Sequence, residues 1–149
     1  MVVHPFAETI QKQYLRKELI HKDPRVLPTF DLQTIKAIQT IGNQGRFETW
    51  FDALEFMKSE IDKRDYDVCL LGCGAYGMPL AAHVKRSGKK AVHLGGSLQL
   101  LFGIRGARWE NSNYNATYNY SKLMNEFWVK PSATETPSKA QQVEEGCYW

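Results

Sequence analysis

The chain has 149 residues, a formal net charge of +3 and 43% hydrophobic residues. This length fits one domain whose core needs no disulfide support, and the apolar content argues against wholesale disorder. The Lys and Arg residues are spread along the chain, which argues against nucleic-acid binding, and no apolar run reaches the ~20 residues that span a bilayer. The three cysteines form no CxxC pair, so they indicate a reducing, cytoplasmic setting and argue against a disulfide framework or a zinc site.

Strand and helix patterns alternate along the first part of the chain. The predicted strands are Val2–His4, Gln33–Gln39, Asp67–Leu71 and Lys90–Leu94. The predicted helices are about Ala7–Lys22, Phe47–Ile61, Pro79–Ser87 and Leu98–Phe102, the last capped by Ser97, with a loop at Gly42–Gly45. This order predicts an α/β, Rossmann-like three-layer domain over residues 1–110, with a mainly parallel sheet of about four strands. Residues 111–149 are predicted to form an irregular aromatic and polar tail that wraps the domain or a partner.

A glycine-rich turn, Gly72-Cys73-Gly74-Ala75-Tyr76-Gly77, lies between a predicted strand and a predicted helix. Its GxGxxG spacing permits a tight turn at Gly72, close approach of backbone to a phosphate at Gly74, and close helix–strand packing at Gly77. The amides at the start of the helix would point at an anion. The alternative is that these glycines only make a tight connection between strand and helix.

The end of the following strand limits the kind of anion. A dinucleotide site requires an acidic residue there, and His93-Leu94-Gly95-Gly96 contains none, which argues against NAD(P) and S-adenosylmethionine. Gly95 and Gly96 instead form a second turn beside the first. The two turns predict a nucleotide diphosphate or a sugar phosphate bound across the crevice, and an NAD(P)-dependent oxidoreductase stays an alternative.

Two side chains are candidate catalytic groups. His93 can act as acid or base or bind a phosphate, and Glu8 follows the first strand, whose end at His4 can reach the same rim. The alternatives are a histidine bonded to backbone and a carboxylate that complements a helix dipole. The predicted substrate-binding residues are Gly72, Gly74, Ala75, Tyr76, Gly77, Gly95, Gly96, Gln99 and Arg105.

Other residues have both a functional and a structural interpretation. Arg105 and Arg108 can clamp a phosphate or belong to a solvated basic loop. Cys73 is a possible nucleophile if helix amides lower its pKa. The DxD motif at Asp65–Asp67 is rejected as a metal site because it precedes its strand, whereas ligands bind at the carboxyl ends of parallel strands. Four aromatic residues form a group that can either stack on a sugar or anchor the tail to the domain: Trp109, Tyr114, Tyr118 and Tyr120.

The stretch from Tyr66 to Glu110, YDVCLLGCGAYGMPLAAHVKRSGKKAVHLGGSLQLLFGIRGARWE, resembles bacterial and viral proteins with a GT-D-type glycosyltransferase-like domain. HPFAETIQKQY and VEEGCYW, near the two ends of the chain, are similar to the same group. The resemblance implies a nucleotide-sugar domain that serves polysaccharide or glycan biosynthesis, with a glycan acceptor as second substrate. It also implies a divalent Mn or Mg ion that accompanies the nucleotide sugar.

The resemblance does not extend to the acidic motif of such enzymes. That motif lies in an N-terminal half and helps to hold the metal and the sugar nucleotide, and this chain, which begins close to HPFAE, has no counterpart. Independent catalysis is therefore in question. A homo-oligomer, a partner chain that supplies the missing half, and a non-catalytic subunit or interaction module all stay open.

Overall fold

The computed structural model describes residues 1–40 and 46–149, so the predicted loop at Gly42–Gly45 lies outside the described residues. The strands are β1 (Val2–His4), β2 (Thr34–Lys36), β3 (Val68–Leu71) and β4 (Lys90–His93). The helices are α1 (Ala7–Tyr14), α2 (Trp50–Asp62), α3 (Gly77–Arg86), α4 (Leu98–Leu101) and α5 (Ala107–Glu110). The predicted alternation of strands and helices is confirmed.

The four strands form one parallel sheet in the order β2-β1-β3-β4. Val3 is paired with Leu71, and Leu71 is paired with His93. His4 and Gly72 each lie one residue beyond this row, at the carboxyl edge of the sheet. The register therefore brings both histidines and the glycine turn to the same edge.

Each face of the sheet packs against its own hydrophobic core, because successive strand residues point to opposite faces. Val3 contributes to the core under α2 and α3, together with Met57 and Leu80. Val2 points the other way, into the core formed with α1, α4 and the tail, where Trp128 is buried. The predicted α/β, Rossmann-like three-layer architecture is confirmed.

Two helix boundaries differ from the prediction by three residues or more. The first helix ends at Tyr14 rather than near Lys22, because Arg16 leaves the helical region at φ −128° and a separate 3-10 turn follows. The second helix starts at Trp50 rather than Phe47. Thr49 caps it: its hydroxyl accepts the Asp52 N–H at 3.1 Å, and its own N–H donates to the Asp52 carboxylate at 3.0 Å.

Two further local predictions were wrong. The second strand is shorter than Gln33–Gln39, since only Thr34–Lys36 pairs with β1. Ser97 has helical dihedral angles and makes no capping hydrogen bond, because Gly95–Ser97 forms a 3-10 turn that continues directly into α4.

The C-terminal tail contacts its own domain. The indole N–H of Trp128 donates to the Ile20 carbonyl at 3.1 Å. The buried Glu135 carboxylate accepts the N–H groups of Glu8 and Thr9, at 2.8 and 3.2 Å, in the first turn of α1. The indole N–H of Trp149 donates to the Glu135 carbonyl at 3.1 Å. Of the two sequence-based possibilities, the structure displays the one in which the tail wraps the domain.

Candidate functional site

A cavity of about 430 Å³ lies at the carboxyl edge of the sheet, within the size range of small-molecule sites. Its lining residues are His4, Pro5, Phe6, Ile38, Gln39, Thr40, Trp50, Gly72, Cys73, Gly74, Ala75, Tyr76, His93, Gly95, Gly96, Gln99, Val143, Glu144, Tyr148 and Trp149. Most of the predicted substrate-binding residues are therefore together at one site. Gly77 and Arg105 belong to that predicted set but do not line the cavity.

Backbone amides line one part of the cavity. Two 3-10 turns, Gly74–Tyr76 and Gly95–Ser97, each begin with a glycine in the left-handed region, at φ +55° and φ +56°. This backbone conformation favours glycine. Among the described residues, the N–H groups of Cys73, Gly74 and Ala75 meet no hydrogen-bond acceptor, and the same holds at the second turn for Gly95. Such free amides at the start of helical turns are the groups that bind anions in proteins.

His4 presents a hydrogen-bond donor to the cavity. The Phe6 N–H donates to His4 Nδ1 at 3.0 Å, so the neutral ring carries its proton on Nε2. Burial lowers the pKa of His4 to about 3, which keeps the ring neutral at physiological pH. No acceptor for Nε2 lies within hydrogen-bonding distance among the described residues, so this N–H is available to a ligand.

His93 has the opposite arrangement. Its Nδ1 lies 3.1 Å from the carbonyl oxygen of Leu71, and because a carbonyl only accepts, Nδ1 is the protonated nitrogen of the neutral ring. Its Nε2 then has a free lone pair and can accept a proton. The two histidines therefore offer a donor and an acceptor to one cavity.

Two glycines of the GxGxxG motif make room for these rings. A Cβ atom on Gly72 would lie 2.6 Å from Cδ2 of His4 and 2.8 Å from the Gly95 carbonyl oxygen. A Cβ atom on Gly77 would overlap the ring of His93. Gly74 differs from both, since a Cβ there would meet nothing within 4 Å. Gly77 thus acts behind the cavity wall, where it lets α3 approach β4.

Gln99 is fully buried and supplies an unpaired acceptor. Its Nε2 donates to the carbonyl oxygens of Ile104 at 3.3 Å and Tyr148 at 3.2 Å. Its Oε1 has no hydrogen-bond partner in the part of the chain that the structure describes. An unpaired buried acceptor of this kind is costly, and the burial of this oxygen keeps it from a ligand in the cavity.

A stacked aromatic pair forms another wall. The rings of Trp50 and Tyr76 are parallel to within 7°, with centroids 4.9 Å apart, and the Tyr76 hydroxyl lies 3.1 Å from Thr40 Oγ1. Trp50 was not among the residues predicted to bind substrate. Its position at the start of the helix that follows β2 was the available signal, since that end of the helix faces the same edge of the sheet.

Two predicted polar residues lie elsewhere. The Glu8 side chain is half exposed and pairs with Lys36 at 2.9 Å, outside the cavity. Arg105 lies 3.5 Å from the Glu110 carboxylate and also does not line the cavity. The structure therefore brings His93 to the cavity without Glu8, and it directs Arg105 toward an internal carboxylate.

The alternatives for Cys73 and the aromatic group are also decided by local packing. Burial raises the pKa of Cys73 to about 12, so the expectation that helix amides lower this pKa was wrong. Trp109 packs at 5.2 Å from Tyr120 and 5.4 Å from Tyr114, and these rings do not line the cavity. These aromatic residues contact one another rather than a candidate ligand.

The charge of the cavity wall is small. Within the described lining there is no Lys or Arg, and Glu144 is the only acidic side chain. Glu144 comes from the tail, as do Val143, Tyr148 and Trp149. These four residues were not predicted to line the site, because nothing in the local pattern of the tail indicates a contact with the distant glycine turns.

No group of three or more His, Cys, Asp or Glu residues is arranged to hold a metal ion within residues 1–40 and 46–149. The Mn or Mg ion that the resemblance implies therefore has no fitting ligand set among these residues. None of the helices described is long and apolar enough to cross a membrane. Comparisons with protein-family models, with curated proteins and with solved structures find no match to this chain.

Proposed function

We propose that this chain is a glycosyltransferase-like domain that binds a nucleotide sugar in the cavity and serves polysaccharide or glycan biosynthesis. The observation that carries the proposal is the pair of turns at the ends of β3 and β4, whose residues line one cavity and whose amides meet no acceptor among the described residues. A diphosphate has oxygens for both sets of amides. The resemblance of Tyr66–Glu110 to GT-D-type domains supports the choice of a sugar nucleotide among such anions.

Neutral groups supply the remaining contacts. The Nε2–H of His4 donates to a phosphate oxygen. The Trp50–Tyr76 pair offers a flat apolar wall for the base. The N-terminal end of α3 adds its dipole, which favours an anion at this place without a lysine or arginine in the wall.

Transfer to an acceptor would use His93 as the base. Its Nε2 takes the proton of the acceptor hydroxyl while that oxygen bonds to the anomeric carbon of the sugar. The bond from this carbon to the diphosphate breaks, and the nucleoside diphosphate leaves with the electron pair. The amides of the two turns stabilise the charge that develops on it. Glu8, which lies outside the cavity, has no part in this step.

A non-catalytic binding subunit is the second candidate. The observation that favours it is the lack of a fitting metal ligand set in the described residues, because a chain of this kind would bind the nucleotide sugar and depend on a partner chain for turnover. In a homo-oligomer, a second copy of this chain would take the place of that partner. We place either form in the cytoplasm, which its three free cysteines support. An NAD(P) site is not favoured, because β4 ends at His93 without an acid.

Calorimetric titration with UDP- and GDP-sugars, which carry a diphosphate, tests the binding, and CMP-sugars, which carry one phosphate, are titrated for comparison. The informative variant is Gly74→Ala, which adds a methyl group in the cavity, and its matched control is Gly88→Ala at the end of α3. Both glycines have positive φ and open space around the missing Cβ, so both substitutions impose similar backbone strain. We expect Gly74→Ala alone to weaken binding, by about tenfold. Failure of every donor to bind the folded wild-type protein would refute the proposal.

A further inference from the structure

The last residues of the chain, Val143–Trp149, form a strap across one side of the cavity. The strap is held to α5 by backbone hydrogen bonds, since the Arg108 N–H donates to the Cys147 carbonyl at 2.9 Å and the Ala107 N–H donates to the Trp149 carbonyl at 3.2 Å. It is therefore both a wall of the cavity and a neighbour of the basic segment around Arg108.

The backbone of the strap is strained where it meets the cavity. Glu144 and Glu145 have φ values of 45° and 59°, in the left-handed region that non-glycine residues rarely adopt. Such a conformation persists only where surrounding contacts impose it. A strap held in this way changes conformation when those contacts are exchanged for others.

Glu144 forms an ion pair with Arg108, and its carboxylate also accepts a hydrogen bond from Cys147 Sγ at 3.6 Å. The same guanidinium donates to the Tyr148 hydroxyl at 3.1 Å and lies 4.5 Å from the centre of the Tyr148 ring. The Arg108 side chain is only 17% exposed, whereas the Glu144 side chain is 59% exposed. The arginine is thus fixed in position beneath a carboxylate that solvent and cavity can reach.

We propose that Glu144 occupies an anion position beside Arg108, and that a bound diphosphate displaces Glu144, pairs with Arg108 and releases the strap. This inference rests on the proposed function, because it assigns the cation that neutralises the ligand of the same cavity. A guanidinium donates to two oxygens of a phosphate as it does to a carboxylate, so the exchange conserves its hydrogen bonds.

The assignment also explains the absence of a cation from the described wall. Arg105, the sequence-based candidate, contacts Glu110 and does not line the cavity. Arg108 does not line the cavity, but it contacts Glu144 and Tyr148, which do, so a ligand that takes the place of the Glu144 carboxylate would meet the guanidinium. The strap thereby acts as an internal competitor that weakens binding of anions until a ligand with enough contacts replaces it.

The test compares binding of inorganic pyrophosphate and of UDP-sugars to the wild-type protein and to Glu144→Gln, Glu145→Gln and Arg108→Gln. Glu145→Gln is the matched control, because the adjacent exposed carboxylate makes no ion pair in the described structure and its loss changes the net charge equally. We expect Glu144→Gln to bind pyrophosphate about tenfold more tightly, Glu145→Gln to differ by less than about twofold, and Arg108→Gln to bind about tenfold more weakly.

Hydrogen exchange of the strap amides provides a second readout that does not depend on affinity. We expect pyrophosphate to accelerate exchange in residues 143–149 of the wild-type protein, and Glu144→Gln to show fast exchange without ligand. Unchanged exchange in both comparisons would overturn the proposed release of the strap, even if Arg108→Gln failed to fold.

The outcomes separate this inference from the proposed function. Equal affinities for the two glutamate variants would overturn the role of Glu144, whereas UDP-sugar binding by all variants would still support the nucleotide-sugar site. Pyrophosphate binding that follows the expected order, with no sugar nucleotide bound, would support the Arg108 site and overturn the nucleotide-sugar function. Failure of both probes to bind any folded variant would overturn both.

Discussion

The Glu135 carboxylate should be the main polar anchor of the C-terminal tail. It is buried and accepts hydrogen bonds from the N–H groups of Glu8 and Thr9, from the Thr9 hydroxyl and from the Ser132 hydroxyl. Glu135→Gln keeps the shape and most of these bonds but removes the charge at the start of α1. Since a hydrogen bond to a charged group contributes ~1 kcal/mol more than a neutral one, and the helix dipole adds ~0.5–1 kcal/mol, we expect a loss of ~2 kcal/mol in the free energy of unfolding.

The pH dependence of the free energy of unfolding shows whether the charge of Glu135 stabilises the folded state. Burial alone would raise the pKa of Glu135, but the hydrogen bonds from Thr9, Ser132 and the Glu8 amide outweigh it and hold the pKa below its ordinary value. A depressed pKa in the folded state stabilises the protein above the unfolded pKa, near 4.3, and this stabilisation is lost as the pH falls through the folded value. The wild-type advantage over Glu135→Gln should therefore be full at pH 7 and shrink below about pH 4.

Urea unfolding at several pH values measures the loss in the free energy of unfolding and its pH dependence, with Glu126→Gln as the control. Glu126 is an exposed carboxylate of the tail, so its substitution should change stability by less than about 0.5 kcal/mol. A loss for Glu135→Gln no larger than that of the control would refute the anchoring role. A difference that stays constant between pH 7 and pH 3 would refute the electrostatic reasoning.

Two further predictions concern the cavity wall. Gly77→Ala places a methyl group against the ring of His93, so the free energy of unfolding should fall by ~1–3 kcal/mol, and most of that loss should vanish in a double-mutant cycle with His93→Ala. Full additivity in urea unfolding would contradict the proposed clash. Burial raises the pKa of Cys69 to about 11 and of Cys73 to about 12, so alkylation of the native protein at pH 8, read by peptide mass mapping, should modify Cys147 first. Labelling of Cys73 as fast as that of Cys147 would contradict the burial of Cys73 in the glycine-rich turn.

The sheet was predictable because short apolar runs and glycine boundaries mark each strand locally. The run before Gly72 and the run before Gly95 are parallel strands whose ends carry the two turns, as their pattern indicated. The end of α1 was not predictable from its own pattern. Gln13 is bonded to the Gly103 carbonyl at 3.0 Å, so a contact 90 residues away helps to fix where that segment packs.

The tail is the part of the site that local patterns could not indicate. Glu144 and Tyr148 reach the cavity because Arg108 and α5 hold the strap, and these contacts link segments about 40 residues apart. Arg105 and Arg108 have the same residue type and nearly the same position in the chain. Only the direction of each side chain, one toward Glu110 and the other toward Glu144, distinguishes them.

The two histidines give the GxGxxG spacing a physical meaning that differs from close approach to a phosphate alone. Each ring uses Nδ1 for a backbone group, an N–H at Phe6 for His4 and a carbonyl at Leu71 for His93, so the backbone fixes which kind of Nε2 each presents. Gly72 and Gly77 leave the space that these rings fill. Because main-chain contacts at the sheet edge set the donor and the acceptor, the cavity has this polarity before any ligand arrives.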